Sequence, residues 1–192
     1  NKNMKAWTDH NYMEVCEAWL HCFRNPEKYI TNSSMPTALI SESDFSNDRH
    51  KPDPNVEKKY DFIYVCLKDN DKCEPGWQSY IRNWDLAKKC LKIMCEKFKL
   101  KGLLVGRVNC ELPDSCNDLM EIKDFMPYDT FIKCYKQSKF VFVPNVVDAS
   151  PRILSEALGY DLRCLVNYNI LGGWKYINEN TDIEDTEENN EK

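Results

Sequence analysis

Two acids separated by seven residues, Asp148 and Glu156, lie in the stretch of this sequence richest in chemistry, Phe140-Val141-Phe142-Val143-Pro144-Asn145-Val146-Val147-Asp148-Ala149-Ser150-Pro151-Arg152-Ile153-Leu154-Ser155-Glu156-Ala157-Leu158-Gly159. An apolar run ends at Pro144, a loop carries Asp148, and Ser150-Pro151 offers an N-cap followed by a first helical residue with no N–H to leave unpaired. The helix that follows puts Glu156 on its second turn, on the face leading back to the loop. Backbone N–H groups at such a helix start can take a diphosphate, and a carboxylate can accept two ribose hydroxyls. Arg107, just past another apolar run, is well placed for a phosphate or base, though an arginine there more often pairs with a carboxylate. No G-x-G-x-x-G, G-x-x-x-x-G-K-[ST] or G-x-S-x-G occurs, and His10, His21 and His50 are not arranged as a base beside a nucleophile. Dinucleotide-binding, P-loop and hydrolase chemistries are therefore disfavoured.

The elements that must hold these residues follow from periodicity. Tyr12, Val15, Cys16, Trp19, Leu20 and Phe23 recur at helical steps, predicting a helix over 8–23 that ends at Asn25-Pro26. Thr37–Ile40 reads as a short strand and 41–59 as a polar loop. From Tyr60 the rhythm alternates: strand 61–67, helix 84–98, strand 102–108, helix 130–138, strand 139–143, helix 151–158, strand 162–166. The strands are nearly continuous apolar runs, as expected when both faces of a sheet are covered. Repeated β-α units predict an α/β fold, a Rossmann-like doubly wound parallel sheet with an N-terminal helical extension. Three regions result: a helix and linker over 1–59 packing on the core, a Rossmann-like domain over 60–180, and an acidic flexible tail over 181–192. In such a sheet, ligands bind outside the carboxyl ends of the strands, where Asp148 stands. Trp77, Tyr80 and Trp84 form an aromatic group beside Gly76 that either stacks on a ligand or packs over the core.

The chain has 192 residues, 42% of them hydrophobic, enough to build a packed core, and its 26 Lys+Arg against 31 Asp+Glu give a net charge of −5. That balance argues against a nucleic-acid-coating protein. Its ten cysteines include no C-x-x-C pair, and several sit inside apolar runs, so free thiols in a reducing, cytoplasmic compartment are expected. No metal site is expected, the loose group His10, Cys16, His21 and Cys22 lacking ligand spacing. No apolar run is long enough to span a bilayer. The sequence opens on Asn with no apolar signal segment, which suggests a piece of a longer polypeptide.

The Asp148–Glu156 block resembles the acid-x7-acid signature of retaining GT-B glycosyltransferases, in the C-terminal, donor-binding half of those enzymes, with Asp standing for the usual first Glu. Leu162–Val166 is similar to the strand after the family's Glu-Ala helix, and Gly172-Gly173-Trp174-Lys175-Tyr176-Ile177 to its Gly-Gly turn. Gly102–Gly106 resembles its second strand, and Phe125-Met126-Pro127-Tyr128 falls where the family contacts the base. Lys68 and Arg82 resemble its two phosphate-binding cations, with the residue types exchanged. The likeness covers about residues 60 to 178, and reduced domains of this kind look most like those in multi-domain glycan-building proteins of large algal DNA viruses.

What the resemblance implies is transfer of a sugar from a nucleoside diphosphate sugar, UDP-linked in preference to GDP-linked, to a glycan acceptor, without a metal. A deoxyhexose such as rhamnose suits the viral comparison, which also puts the protein in the host cytoplasm. Asp148, Arg82 and Lys68 would serve the transfer. Arg107, Phe125, Met126, Tyr128, Ser150, Pro151, Arg152 and Glu156 would hold the nucleotide. Only about 59 residues precede the first clear strand, too few for an acceptor half, so neighbouring domains are expected to supply one. Two other readings stay open: a non-catalytic nucleotide-sugar-binding or scaffold module of a larger protein, and a flavodoxin-like or other Rossmann domain binding a different phosphate.

Overall fold

The computed structural model describes residues 16–22, 24–29, 35–40, 50–177 and 182–183. Two three-residue strands, β1 (Trp19–His21) and β2 (Thr37–Leu39), pair in parallel apart from the main sheet. The main sheet follows from β3 (Tyr60–Val65), β4 (Gly102–Val105), β5 (Met120–Lys123), β6 (Ser138–Val143), β7 (Arg163–Asn167) and β8 (Asp182–Ile183). All its pairings are parallel, in the order β5-β4-β3-β6-β7-β8. The chain runs outward from β3 to one edge, then returns to β6 and runs to the other. The direction therefore switches between β3 and β6, which opens a crevice at their carboxyl ends.

Helices cover both faces. Tyr60, Ile63, Leu103, Val105, Val141 and Val143 pack on one side with Tyr135 of α3 (Tyr128–Lys136) and Leu154 and Ala157 of α4 (Arg152–Gly159). Phe62, Tyr64, Leu104 and Phe142 pack on the other with Trp84, Ala87 and Leu91 of α2 (Trp84–Glu96). Neighbouring positions of one strand thus feed opposite cores, the physical reason the central strands read as unbroken apolar runs. A shorter helix, α1 (Trp77–Ile81), precedes α2, from which it is separated by Asn83 in the left-handed region (φ 49°).

Several expectations need correction. Trp19–His21 is a strand where the sequence predicts the end of an N-terminal helix. Pairing with Thr37–Leu39 overrides a local period too short to fix the backbone, and residues 8–15 and 23 of the predicted helix lie outside the described residues. The segment packs on the core, with the Cys22 thiol donating to the Ala149 carbonyl at 2.9 Å, the Arg24 N–H to the Leu171 carbonyl at 3.0 Å and Lys175 Nζ to the Ile40 carbonyl at 3.0 Å. Within the acidic tail, Asp182 and Ile183 extend the sheet beside Val166 and Asn167 instead of standing free. The cysteines are not all free: Cys73 and Cys110, 37 residues apart, form a disulfide. Each lies in a loop after one of the adjacent strands β3 and β4, a proximity that only the sheet order creates. Cys66, Cys95, Cys116, Cys134 and Cys164 are buried thiols.

Candidate functional site

Beside the switch point a crevice of about 360 Å3 opens at the ends of β3 and β4, between the start of α3 and the first turns of α4, the helix that follows β6. Apolar walls come from Val65, Leu67, Val105 and Ile153; polar groups enter from Gln78, Arg82, Arg152 and Glu156. The loop after β6 sets the far wall. Asp148 Oδ2 accepts from Arg82 Nη1 at 3.1 Å and from Asn145 Nδ2 at 3.0 Å, while Oδ1 accepts the Ser150 N–H at 3.2 Å. Beneath it the Gly172 N–H donates to the Asp148 carbonyl at 2.9 Å. A Cβ on Gly172 would lie 1.9 Å from the Ala149 carbonyl oxygen, so only glycine lets the two chains cross there.

Pro151, and not Ser150, occupies the N-cap of α4, with a non-helical ψ of 86° and no side-chain cap. The Ser150 N–H bonds Asp148, and the Ser150 side chain caps no helix N–H. The Leu154 N–H closes on the Pro151 carbonyl, and the Tyr135 hydroxyl donates 3.3 Å to the Ile153 carbonyl, tying this turn to α3. First-turn N–H groups of an α-helix have no partner within the helix, and its dipole end is positive, so this wall is suited to an anion.

Glu156 is nearly buried one turn further on. Its Oε1 accepts the Tyr128 hydroxyl at 3.3 Å and lies 4.0 Å from His50 Nε2 and 3.9 Å from Arg152 Nη2. Burial pushes its carboxyl above the ordinary value, against the pull of Arg152, His50 and Tyr128. His50 Nε2 also stands 2.9 Å from the Tyr128 hydroxyl. Phe125 and Met126 complete the rim, Phe125 with 77% of its surface exposed.

The crevice brings together Arg82, Phe125, Met126, Tyr128, Arg152 and Glu156 of the residues expected from sequence, with Asp148 and Ser150 bonded to that set. Lys68 does not line it: its Nζ is 2.9 Å from Asp71 in the loop after β3. Arg107 does not line it either and pairs with a carboxylate instead, its Nη2 lying 3.6 Å from Asp69 Oδ2. It has no exposed surface and lies over the Trp84 ring, its Cζ 4.3 Å from the ring centroid, on the α2 side of the sheet. Gly106, at φ +108°, breaks the strand's alternation and turns Arg107 to that face. Trp84 is buried, whereas Trp77 and Tyr80 stand exposed on α1, their centroids 5.8 Å apart. Gln78, Asn145 and His50 join the site unforeseen; only Asn145, a turn-forming type directly after the β6–Pro144 stop, carried a local signal.

His10 of the loose His/Cys group lies outside the described residues, and among the described residues no three His, Cys, Asp or Glu side chains gather to hold a metal ion. Nor, among them, is any helix long and apolar enough to cross a membrane.

An open parallel sheet with an anion-suited helix start at its switch point defines a Rossmann-like half domain. The chain is similar in structure to TarM (TM-score 0.66, 12% identity, covering 100% of this chain and 38% of TarM). It is also similar to the sucrose-phosphate synthase of Thermosynechococcus elongatus (0.62, 13%, 90% and 47%) and to the pneumococcal O-GlcNAc transferase GtfA, solved with UDP and GlcNAc (0.61, 12%, 95% and 37%). The fold is thus that of one half of a GT-B glycosyltransferase, and the chain spans less than half the length of each of these enzymes. No protein-family model matches the sequence, and no curated protein does.

Proposed function

We propose that this chain is the donor-binding half of a retaining, metal-independent glycosyltransferase that moves a sugar from a nucleoside diphosphate sugar to a glycan acceptor. The observation that carries the reading is the convergence of Arg82, the start of α4 and the nearly buried Glu156 on one crevice beside the switch point of the sheet. In this reading the diphosphate lies between the Arg82 guanidinium and the first N–H groups of α4, with Arg152 at the mouth. As the bond from the sugar C1 to the phosphate oxygen breaks, negative charge grows on the departing diphosphate, and these fixed donors stabilise it. Glu156 accepts the two ribose hydroxyls, and the base lies against Phe125, Met126 and Tyr128. Asp148 meets the sugar beside the phosphates. Lys68 has no part unless its loop shifts.

GtfA and a TarM variant were each solved with UDP, which supports a UDP-linked donor over a GDP-linked one. The sugar is proposed to be a hexose or deoxyhexose, rhamnose among them, and the acceptor wall to come from neighbouring domains of a longer polypeptide. Saturation-transfer NMR in EDTA tests the reading. Uracil and ribose protons of UDP should receive magnetisation, the signal should fade with Glu156→Ala, and FMN and NAD should not displace it. Equal response to FMN, or dependence on an added metal ion, would overturn it.

A further inference from the structure

Behind the crevice, on the opposite side of α1, a buried guanidinium remains unused by the donor reading. We propose that Arg107 is a positioning residue for Arg82: from inside the core it fixes the start of α1, and through α1 it sets where the Arg82 guanidinium meets the diphosphate. The inference rests on the donor reading above and deepens it.

Arg107 Nη2 donates to the Ser79 hydroxyl and lies 3.6 Å from Asp69 Oδ2, and its Nε donates 3.1 Å to Cys66 Sγ. Asp69 in turn accepts the Gln78 N–H at 2.6 Å, the Ser79 N–H at 3.0 Å and the Ser79 hydroxyl at 2.5 Å. Arg107 and Asp69 thus grip the first turn of a helix only five residues long, which local propensity alone cannot hold. Gly76 at its N-cap has no side chain to do so. The far end of α1 is Arg82, whose N–H bonds the Gln78 carbonyl and whose carbonyl accepts the Tyr64 hydroxyl at 3.0 Å. Gln78 and Arg82, one turn apart, face the crevice, while Ser79 between them faces Arg107.

A charge with no exposed surface is costly unless it is paired and hydrogen-bonded, and an apolar side chain would fill the same space without that cost. What Arg107 supplies and a methionine would not is a set of directed donors at one depth and angle. The Cys73–Cys110 disulfide restrains the same two loops, one leaving Asp69 and the other leaving Arg107. Rotation of α1 about its axis would therefore have to break Gln78 and Ser79 from Asp69, and Ser79 from Arg107, as it moved Arg82.

The test is a double-mutant cycle on the whole chain: wild type, Arg107→Met, Arg82→Ala and the double variant, each titrated with UDP by calorimetry and with uridine by NMR. Arg107→Met should weaken UDP about tenfold in the wild-type background and less than about twofold once Arg82 is gone, because the two residues act as one unit. Uridine, which lacks the phosphates, should bind all four alike. Ser79→Ala, which removes the hydroxyl alone, should repeat the pattern more weakly and serves if Arg107→Met does not fold. Additive losses, or a uridine affinity that falls with that for UDP, would overturn the proposal while leaving the donor reading intact. A wild type that binds uridine no worse than UDP would overturn both.

Discussion

Asp148→Asn should tighten the binding of UDP while destabilising the fold. At rest the Arg82 guanidinium is 3.1 Å from Asp148 Oδ2, with both side chains a quarter exposed or less. At an effective dielectric of about 20, two unit charges at that distance attract by about 5 kcal/mol before desolvation is counted, and hydrogen bonds to charged groups net about 1.5–3 kcal/mol. An entering diphosphate must offset that attraction and also approach a carboxylate of like charge. Asparagine keeps the shape and an oxygen for the Ser150 N–H, but it removes the competing charge. If half of the lower net figure returns to the ligand, the gain is about 0.75 kcal/mol, or about three- to fourfold in affinity, with the relieved repulsion adding to it. Calorimetry with UDP in EDTA reads that gain directly, and thermal unfolding should show the fold losing about 1–2 kcal/mol. Weakening of UDP by Asp148→Asn to the extent seen with Arg82→Ala would refute the reasoning, because the carboxylate would then be orienting Arg82 and not competing for it.

Other expectations follow from the same contacts. Burial holds the Glu156 carboxyl above its ordinary 4.5, so the stability present below that pH should fall as pH rises through the folded value. Glu156→Gln should remove this slope in pH-dependent thermal melts and leave the neutral-pH midpoint no lower than wild type, while weakening UDP. Glu121 titrates oppositely: the Tyr60 hydroxyl, at 2.6 Å, leads Lys59 and Lys123 in holding it, against burial, down to about 2. Its stabilisation is present above the ordinary value and lost as pH falls towards 2. Since 40% of that side chain is exposed, Glu121→Gln should cost only about 1 kcal/mol at neutral pH and less than half of that at pH 2, by denaturant melts. Cys73→Ser with Cys110→Ser opens a loop spanning 37 residues and should cost about 4 kcal/mol in the same assay.

The central strands were legible because burial on both faces leaves a run of apolar residues that no other element explains as well. Strand β5 was not, because Met120-Glu121-Ile122-Lys123 lies at the sheet edge with all four residues half-buried, and its alternating charges give no such run. Helix α1 was missed for want of length, being closed off by the left-handed Asn83. At the site, the loop and helix from Asp148 to Glu156 are one local piece of chain, so their relation survives in sequence spacing. His50 and Gln78 reach the crevice only through the sheet order, which local spacing does not encode. Arg107 shows the limit of position alone: it follows a strand as a phosphate ligand would, yet one positive-φ glycine turns it to the other face. The disulfide is of the same kind, joining loops whose proximity depends on β3 and β4 being neighbours.

The most direct test of the account is calorimetric titration of UDP into the metal-free protein, alongside Arg82→Ala and Glu156→Ala. The account predicts binding in the micromolar range without a metal ion, a preference for UDP over GDP, and a loss of about tenfold or more from each substitution. A well-folded wild type that takes up no nucleoside diphosphate, or one whose binding is unmoved by both substitutions, would contradict it.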